Sequence, residues 1–147
     1  TADMVLAVNE RLGFDIKSAE VAFMGAKADA LRTLGLSVAQ YAALLTLRDH
    51  PGITGSGLAR ACLVTPQASA ATLKVLESKG LVSRSSDDWN RNTRPSRLTP
   101  EGVEVIAAAD AVAGAVEQRM HDALSAEERA LLRRLLAACR EAAIAVD

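Results

Sequence analysis

Aromatic side chains are scarce in this chain of 147 residues: two phenylalanines, one tyrosine and one tryptophan. That scarcity excludes the stacked aromatic platforms that read single-stranded nucleic acid. Cysteine and histidine are scarcer still. Cys62 and Cys139 stand far apart, outside any Cys-x-x-Cys pair, and His50 and His121 are the only histidines. No zinc site of ordinary spacing can be assembled from them, and both cysteines read as small buried apolar residues. A glycine-rich phosphate loop, a Cys/His dyad and a recognisable pair of catalytic carboxylates are all missing, which argues against an enzyme. No apolar run approaches the roughly 20 residues of a membrane span, and no leader segment stands out. A soluble cytoplasmic protein without metal or cofactor is expected.

Half of the residues are hydrophobic, with alanine and leucine dominant. The chain can therefore bury a core, and its composition favours helices. Its length fits one domain. The formal net charge of -1 looks unsuited to a polyanionic partner, but the charges are not evenly spread. Between Arg60 and Arg97 lie Arg60, Lys74, Lys79, Arg84, Arg91, Arg94 and Arg97, opposed by Glu77, Asp87 and Asp88. A basic window on an acidic body still attracts phosphate.

Apolar spacing and capping signals predict six helices and one hairpin. The first helix is expected over Val5 to Leu34, with a break at Gly13 as an open alternative, Phe14, Val21, Met24, Ala28 and Leu31 at helical spacing and Gly35 ending it. Ser37 caps the second, which stops at His50-Pro51-Gly52. Ile53 reads as a very short strand. Thr54 caps a third helix carrying Leu58, Ala59 and Cys62, and Leu63-Val64 form a turn. Thr65 caps a fourth helix, Pro66 to Lys79, with Pro66 at its first position and Gly80 just beyond its end. Strands follow over Leu81–Ser85 and Thr93–Leu98, joined by a polar tip, with Pro95 marking an edge strand. Thr99-Pro100 opens a fifth helix whose buried side is expected to carry Val103, Ile106, Val116 and Met120. Ser125 and Glu128 form a capping box for a sixth, with an apolar stripe of Leu131, Leu132, Leu135, Leu136, Cys139 and Ala143.

A short helix, a turn, a well-capped helix and a polar-tipped hairpin, in that order, make a winged helix-turn-helix within a mainly α protein. A helix fits the major groove of B-DNA, and short polar side chains at its start let it approach base edges. The fourth helix begins Thr65-Pro66-Gln67-Ala68-Ser69-Ala70-Ala71-Thr72. Gln67 suits a bidentate contact to adenine. Thr65, Ser69 and Thr72 can bond bases or phosphates, and Lys74 a phosphate. Ala68, Ala71 and Val75 are expected to pack inward. Thr54, Ser56, Pro66, Ala70 and Arg84 complete the expected contact surface, together with Trp89, Asn90, Arg91 and Arg94 on the hairpin. Trp89 suits either a sugar-phosphate edge or a place folded back under the wing. Arg91 suits the minor groove, whose negative potential attracts arginine.

The pattern resembles the MarR family of transcriptional regulators from Leu36 to about Leu136. The resemblance is carried by Leu36-Ser37-x-x-Gln40-Tyr41, Ile53-Thr54-x-x-x-Leu58-Ala59 and Val64-Thr65-Pro66-Gln67. It continues through Leu76-Glu77-x-x-Gly80-Leu81, Arg97-Leu98-Thr99-x-x-Gly102 and Leu124-Ser125-x-x-Glu128. It implies a homodimer that binds a palindromic operator on double-stranded DNA, usually as a repressor. It also implies release by a small phenolic or amphipathic effector, with Phe23, Tyr41, Leu45 and Arg48 matching the pocket. The family's Asp-x-Arg-Arg-like wing tip departs to Asn90, Arg91 and Asn92 here, and Ala71 stands where an arginine is common. Residues 36–100 would bind DNA, while 1–34 and 103–147 would dimerise. Pairing the terminal helices also follows from physics, because a monomer would expose their apolar stripes. The alternative is a winged-helix protein-interaction module that does not bind DNA.

Overall fold

A computed structural model describes residues 5–84 and 94–145. The chain enters through a 3-10 turn, Val8–Glu10, and then helix α1, Leu12–Arg32. The helix expected from Val5 thus starts seven residues later. Arg11 at its N-cap position supplies no capping side-chain bond, whereas the next five helices each have one. Gly13 does not interrupt α1 but sits within its first turn. At the other end Gly35 takes φ +66°, a conformation that favours glycine, and Leu36 N–H donates to the Leu31 carbonyl at 3.3 Å.

Helix α2, Val38–Asp49, opens on a reciprocal capping box. Gln40 N–H donates to Ser37 Oγ at 3.1 Å, and Ser37 N–H donates to Gln40 Oε1 at 3.2 Å. Thr54 caps α3, Gly55–Cys62, and Thr65 caps α4, Pro66–Ser78. Between them Leu63 adopts the left-handed conformation, with φ +57°. That placement is unusual for a branched residue and sets the tight turn of the helix pair. Strands β1, Val82–Arg84, and β2, Ser96–Leu98, pair antiparallel with Ser83 opposite Arg97. Helix α5 runs Pro100–Asp122 and α6 runs Ala126–Ile144, the latter starting on the expected Ser125/Glu128 box. Among the described residues no helix is long and apolar enough to cross a membrane.

Pro95 does not mark an open edge. It forms a bridge with Thr54, and β2 is flanked by β1 on one side and by the Gly52–Thr54 segment on the other. Ser96 N–H donates to the Ile53 carbonyl and Gly52 N–H to the Ser96 carbonyl, both at 3.0 Å. The bridge thus draws on Ser96, so the N–H that Pro95 lacks costs nothing there.

The core centres on α2, with Tyr41, Leu44 and Leu47 buried against Leu31, Leu58, Leu73, Leu76 and Ile106. Two inward faces differ from expectation. On α4 it is Ser69, Leu73 and Leu76 that face the core, while Ala68, Ala71 and Val75 are exposed. The two leucines displace more water than alanine, so they set the rotation of the helix. On α5 the buried stripe is Gly102, Ile106, Ala109, Ala113 and Val116, with Val103 and Met120 exposed. Gly102 decides this at the start of α5, where a Cβ would lie 2.1 Å from the Leu81 carbonyl oxygen. The hairpin backbone packs directly on the helix at that point, and Val103 turns outward. Met120 lies instead on an open groove between α5 and α6.

Replacing Gly102 with alanine should push the hairpin off α5. The expected cost is about 3 kcal/mol or more, equivalent to a fall of roughly 6–12 °C in Tm. A thermal melt followed by circular dichroism measures it, and a Tm equal to the parent's would show that the close approach does not constrain the fold.

Candidate nucleic-acid interface

The start of α4 is held by its own cap. Ala68 N–H donates to Thr65 Oγ1 at 3.1 Å, and Pro66 fills the first position without needing a partner for an N–H. Opposite the buried Leu73–Leu76 face, Gln67, Ala70, Ala71 and Lys74 are all exposed on one side of the helix. Two alanines keep this surface low between the polar Gln67 and the long, charged Lys74, and the helix N-terminus adds partial positive charge.

Ser69, contrary to the DNA contact its place in the sequence suggests, is only 3% exposed, and its hydroxyl donates to the Gly55 carbonyl at 3.3 Å. It ties α4 to the start of α3. Thr72 is half-buried on the flank of the helix. Thr54, also half-buried, spends its hydroxyl on Gly57 N–H at 3.1 Å as the cap of α3. Ser56 lies in the first turn of the same helix, half-buried. Arg84 closes β1 and Arg94 precedes β2, both half-buried at the base of the hairpin. Trp89, Asn90 and Arg91 lie outside the described residues.

The basic window is partly used for structure. Lys79 Nζ donates to the Gly35 carbonyl at 3.1 Å, holding the end of α4 to the α1–α2 turn. The Arg97 guanidinium lies over Gly52, where a Cβ would sit 2.9 Å from Nη2. Arg60 and Lys74 are exposed on α3 and α4.

A polar junction ties this lobe to α5. Tyr41 Oη donates to Asp110 Oδ1 at 2.7 Å, and Arg48 Nη2 donates to Asp110 Oδ2 at 3.0 Å. Of the four pocket positions the resemblance implied, Tyr41 and Arg48 therefore meet on one carboxylate. Leu45 is half-buried and packs on the core. Phe23 lies beneath the Lys27 ammonium, 5.4 Å from the ring centre, and Lys27 pairs with Glu117 of α5 at 2.5 Å. The hydrogen bond from Tyr41 holds the Asp110 carboxyl below its usual range, with Arg48 acting in the same direction. Burial raises the Tyr41 phenol, and the bond to Asp110 raises it further. Sequence reasoning missed Asp110, although a signal was present: it is the single charge between Glu104 and Glu117, in an otherwise apolar stretch. Cys62 and Cys139 are both unpaired thiols and only half-buried.

Because the native carboxyl of Asp110 titrates below its unfolded value, the unfolded chain binds its proton first as pH falls. The stability it contributes is complete above the ordinary aspartate range near pH 4 and is lost below it. Asp110→Asn should flatten the acid side of a Tm-against-pH curve between about pH 5 and 3. An acid limb as steep as the parent's would show that the pairing carries no such linkage.

The comparisons with known proteins agree with this geometry. The model of the MarR family matches residues 34–88. The chain is 34% identical over 107 residues to an HTH-type transcriptional repressor of Mycobacterium tuberculosis, a match covering 73% of this chain and 77% of that protein. It is similar to the crystal structure of a Mycobacterium tuberculosis MarR family protein in complex with salicylic acid. The TM-score there is 0.67 at 30% identity, covering 91% of this chain and 99% of that one. It is also similar to the transcriptional repressor CouR bound to a 23-mer DNA duplex, with TM-score 0.78 at 25% identity, covering 90% and 94% of the two chains. With that identity over more than two thirds of its length, and the same helix order around a two-stranded wing, this chain belongs to the MarR family of transcriptional regulators.

Proposed function

We propose that the protein is a homodimeric, sequence-specific repressor that binds double-stranded DNA through α4 in the major groove and the wing in the minor groove. The observation that carries the reading is the exposed face Gln67–Ala70–Ala71–Lys74 on a helix fixed by a capped N-terminus and a buried Leu73–Leu76 face. Such a face reaches base edges without a bulky side chain in the way. The similarity to a repressor solved on a DNA duplex supports it. Arg91, between the two strands, is assigned to the minor groove. DNA binding needs no cofactor and no catalytic step, and it takes place where the chromosome lies, in the cytoplasm.

Dimerisation is supported by the apolar surface the single chain leaves open. On α1, Phe14 and Val21 are 60% and 58% exposed, and on α6 the four leucines from Leu131 to Leu136 are 44–46% exposed. Exposed apolar stripes of this kind belong to an interface. A two-fold mate would bury them and set two recognition helices one DNA turn apart. Control by a small phenolic or amphipathic effector at the α1–α2–α5 junction is the remaining part of the proposal. It is supported by the salicylic acid complex of the similar structure. Here Asp110 already neutralises Arg48, so an effector carboxylate would have to displace it.

Anisotropy titrations on the duplex upstream of the gene should show binding that weakens steeply with salt. Lys74→Ala should weaken binding to all sequences and lower the salt slope by about one. Gln67→Ala should cost about 1–3 kcal/mol at one base pair and relax specificity there. Arg91→Ala should weaken binding while the dimer persists. Binding that is absent, or insensitive to salt, would overturn the regulator reading. Separately, Leu132→Glu with Leu135→Glu should convert a dimer to a monomer in sedimentation analysis, and an unchanged mass would remove α6 from the interface.

A further inference from the structure

The carboxylate of Asp110 is engaged on both oxygens. Oδ1 accepts from Tyr41 Oη at 2.7 Å, and Oδ2 accepts from Arg48 Nη2 at 3.0 Å. The two donors lie on one stripe of α2, two turns apart, and this single carboxylate spans them. The group is open to approach, because the Arg48 and Asp110 side chains are 40% and 35% exposed. The charges beside it are paired as well. Lys27 of α1 meets Glu117 of α5, and Arg48 Nε lies 3.8 Å from Asp49 Oδ1. The cations Lys27 and Arg48 thus stand against three carboxylates, those of Asp49, Asp110 and Glu117.

A phenol hydroxyl and a guanidinium are donors suited to a carboxylate, and here the chain supplies that carboxylate itself. We propose that Asp110 is a specificity-determining residue: as an internal carboxylate it occupies Tyr41 and Arg48 and turns carboxylate effectors away, leaving the junction to uncharged ones. The inference rests on the effector reading above and fixes the charge of effector that the same junction takes. An incoming carboxylate would have to expel Asp110 from both donors. It would then hold its own charge next to the displaced one, with a single arginine between them. Like charges brought together oppose binding, and a site selects by such repulsion as well as by attraction. Asp110 also competes from a fixed place on α5, at an effective concentration that a dilute effector does not match. An uncharged molecule meets neither obstacle, since it needs no claim on Arg48.

The test is calorimetry on the full chain without DNA, with benzoate and its uncharged isostere benzamide as probes. Asp110→Asn keeps an oxygen for Tyr41 and removes the charge from beside Arg48. Benzoate should bind this variant about tenfold more tightly than the parent, or better, while benzamide treats the two alike. Adding Arg48→Ala to the variant should remove the gain, because the freed guanidinium is what benzoate meets. Asp110→Ser, equally uncharged, serves if Asp110→Asn does not fold, with circular dichroism reporting the fold of each. The proposal is overturned if the parent and the folded variant take benzoate equally, whether both bind it or neither does. It is equally overturned if benzamide gains as much as benzoate. Release of DNA is read separately by anisotropy. A variant that gains benzoate yet keeps its hold on DNA supports selection at Asp110 and overturns effector control alone.

Discussion

Helix α2 is the packing centre on which every other part of the lobe rests. It touches α1, α3, α4, α5 and β2, and it does so with a buried face of Tyr41, Ala43, Leu44 and Leu47. Each leucine buried in this way contributes roughly 1.5–3 kcal/mol relative to exposure. The recognition helix has no independent support. Its position is set by Leu73 and Leu76 against that core and by Ser69 on the α3 backbone. The outward surface of α4 is thus the residue of a packing decision: what faces outward is what the leucines leave there.

The same helix connects the DNA side to the terminal helices by charge. Asp110 accepts from both Tyr41 and Arg48, and Lys27 joins α1 to α5 through Glu117. The Asp110 bonds are the tie between the two regions that an effector at the junction would have to meet, while Lys27–Glu117 braces the terminal helices among themselves. A chain whose Arg48 is already paired presents a different problem to a carboxylate than one whose arginine is open. The family resemblance alone says nothing of this, because Asp110 is not among the residues that carry it.

Capping explains why the helix limits were so readable. Ser37, Thr54, Thr65, Thr99 and Ser125 each accept from a backbone N–H three residues on, a purely local interaction that a sequence displays directly. Where that signal was lacking, at Arg11, the predicted start was wrong. Glycines were legible as punctuation at Gly35, Gly52 and Gly80, all with positive φ. Gly102 was legible only as part of a motif, since its reason is the backbone of Leu81, just before β1 and twenty-one residues earlier.

The sequence by itself determined the order of elements, their caps and the apolar stripes, because those depend on neighbours within a turn or two of helix. It also marked the α4 start as a place where small polar residues gather. Which of those residues turn inward was decided only by tertiary packing, which buried Ser69 and exposed Ala68 and Ala71. The partnership of Tyr41 with Asp110 spans 69 residues, and that of Arg48 with the same carboxylate spans 62. No local pattern encodes either, because each exists only once separate helices have been brought into contact.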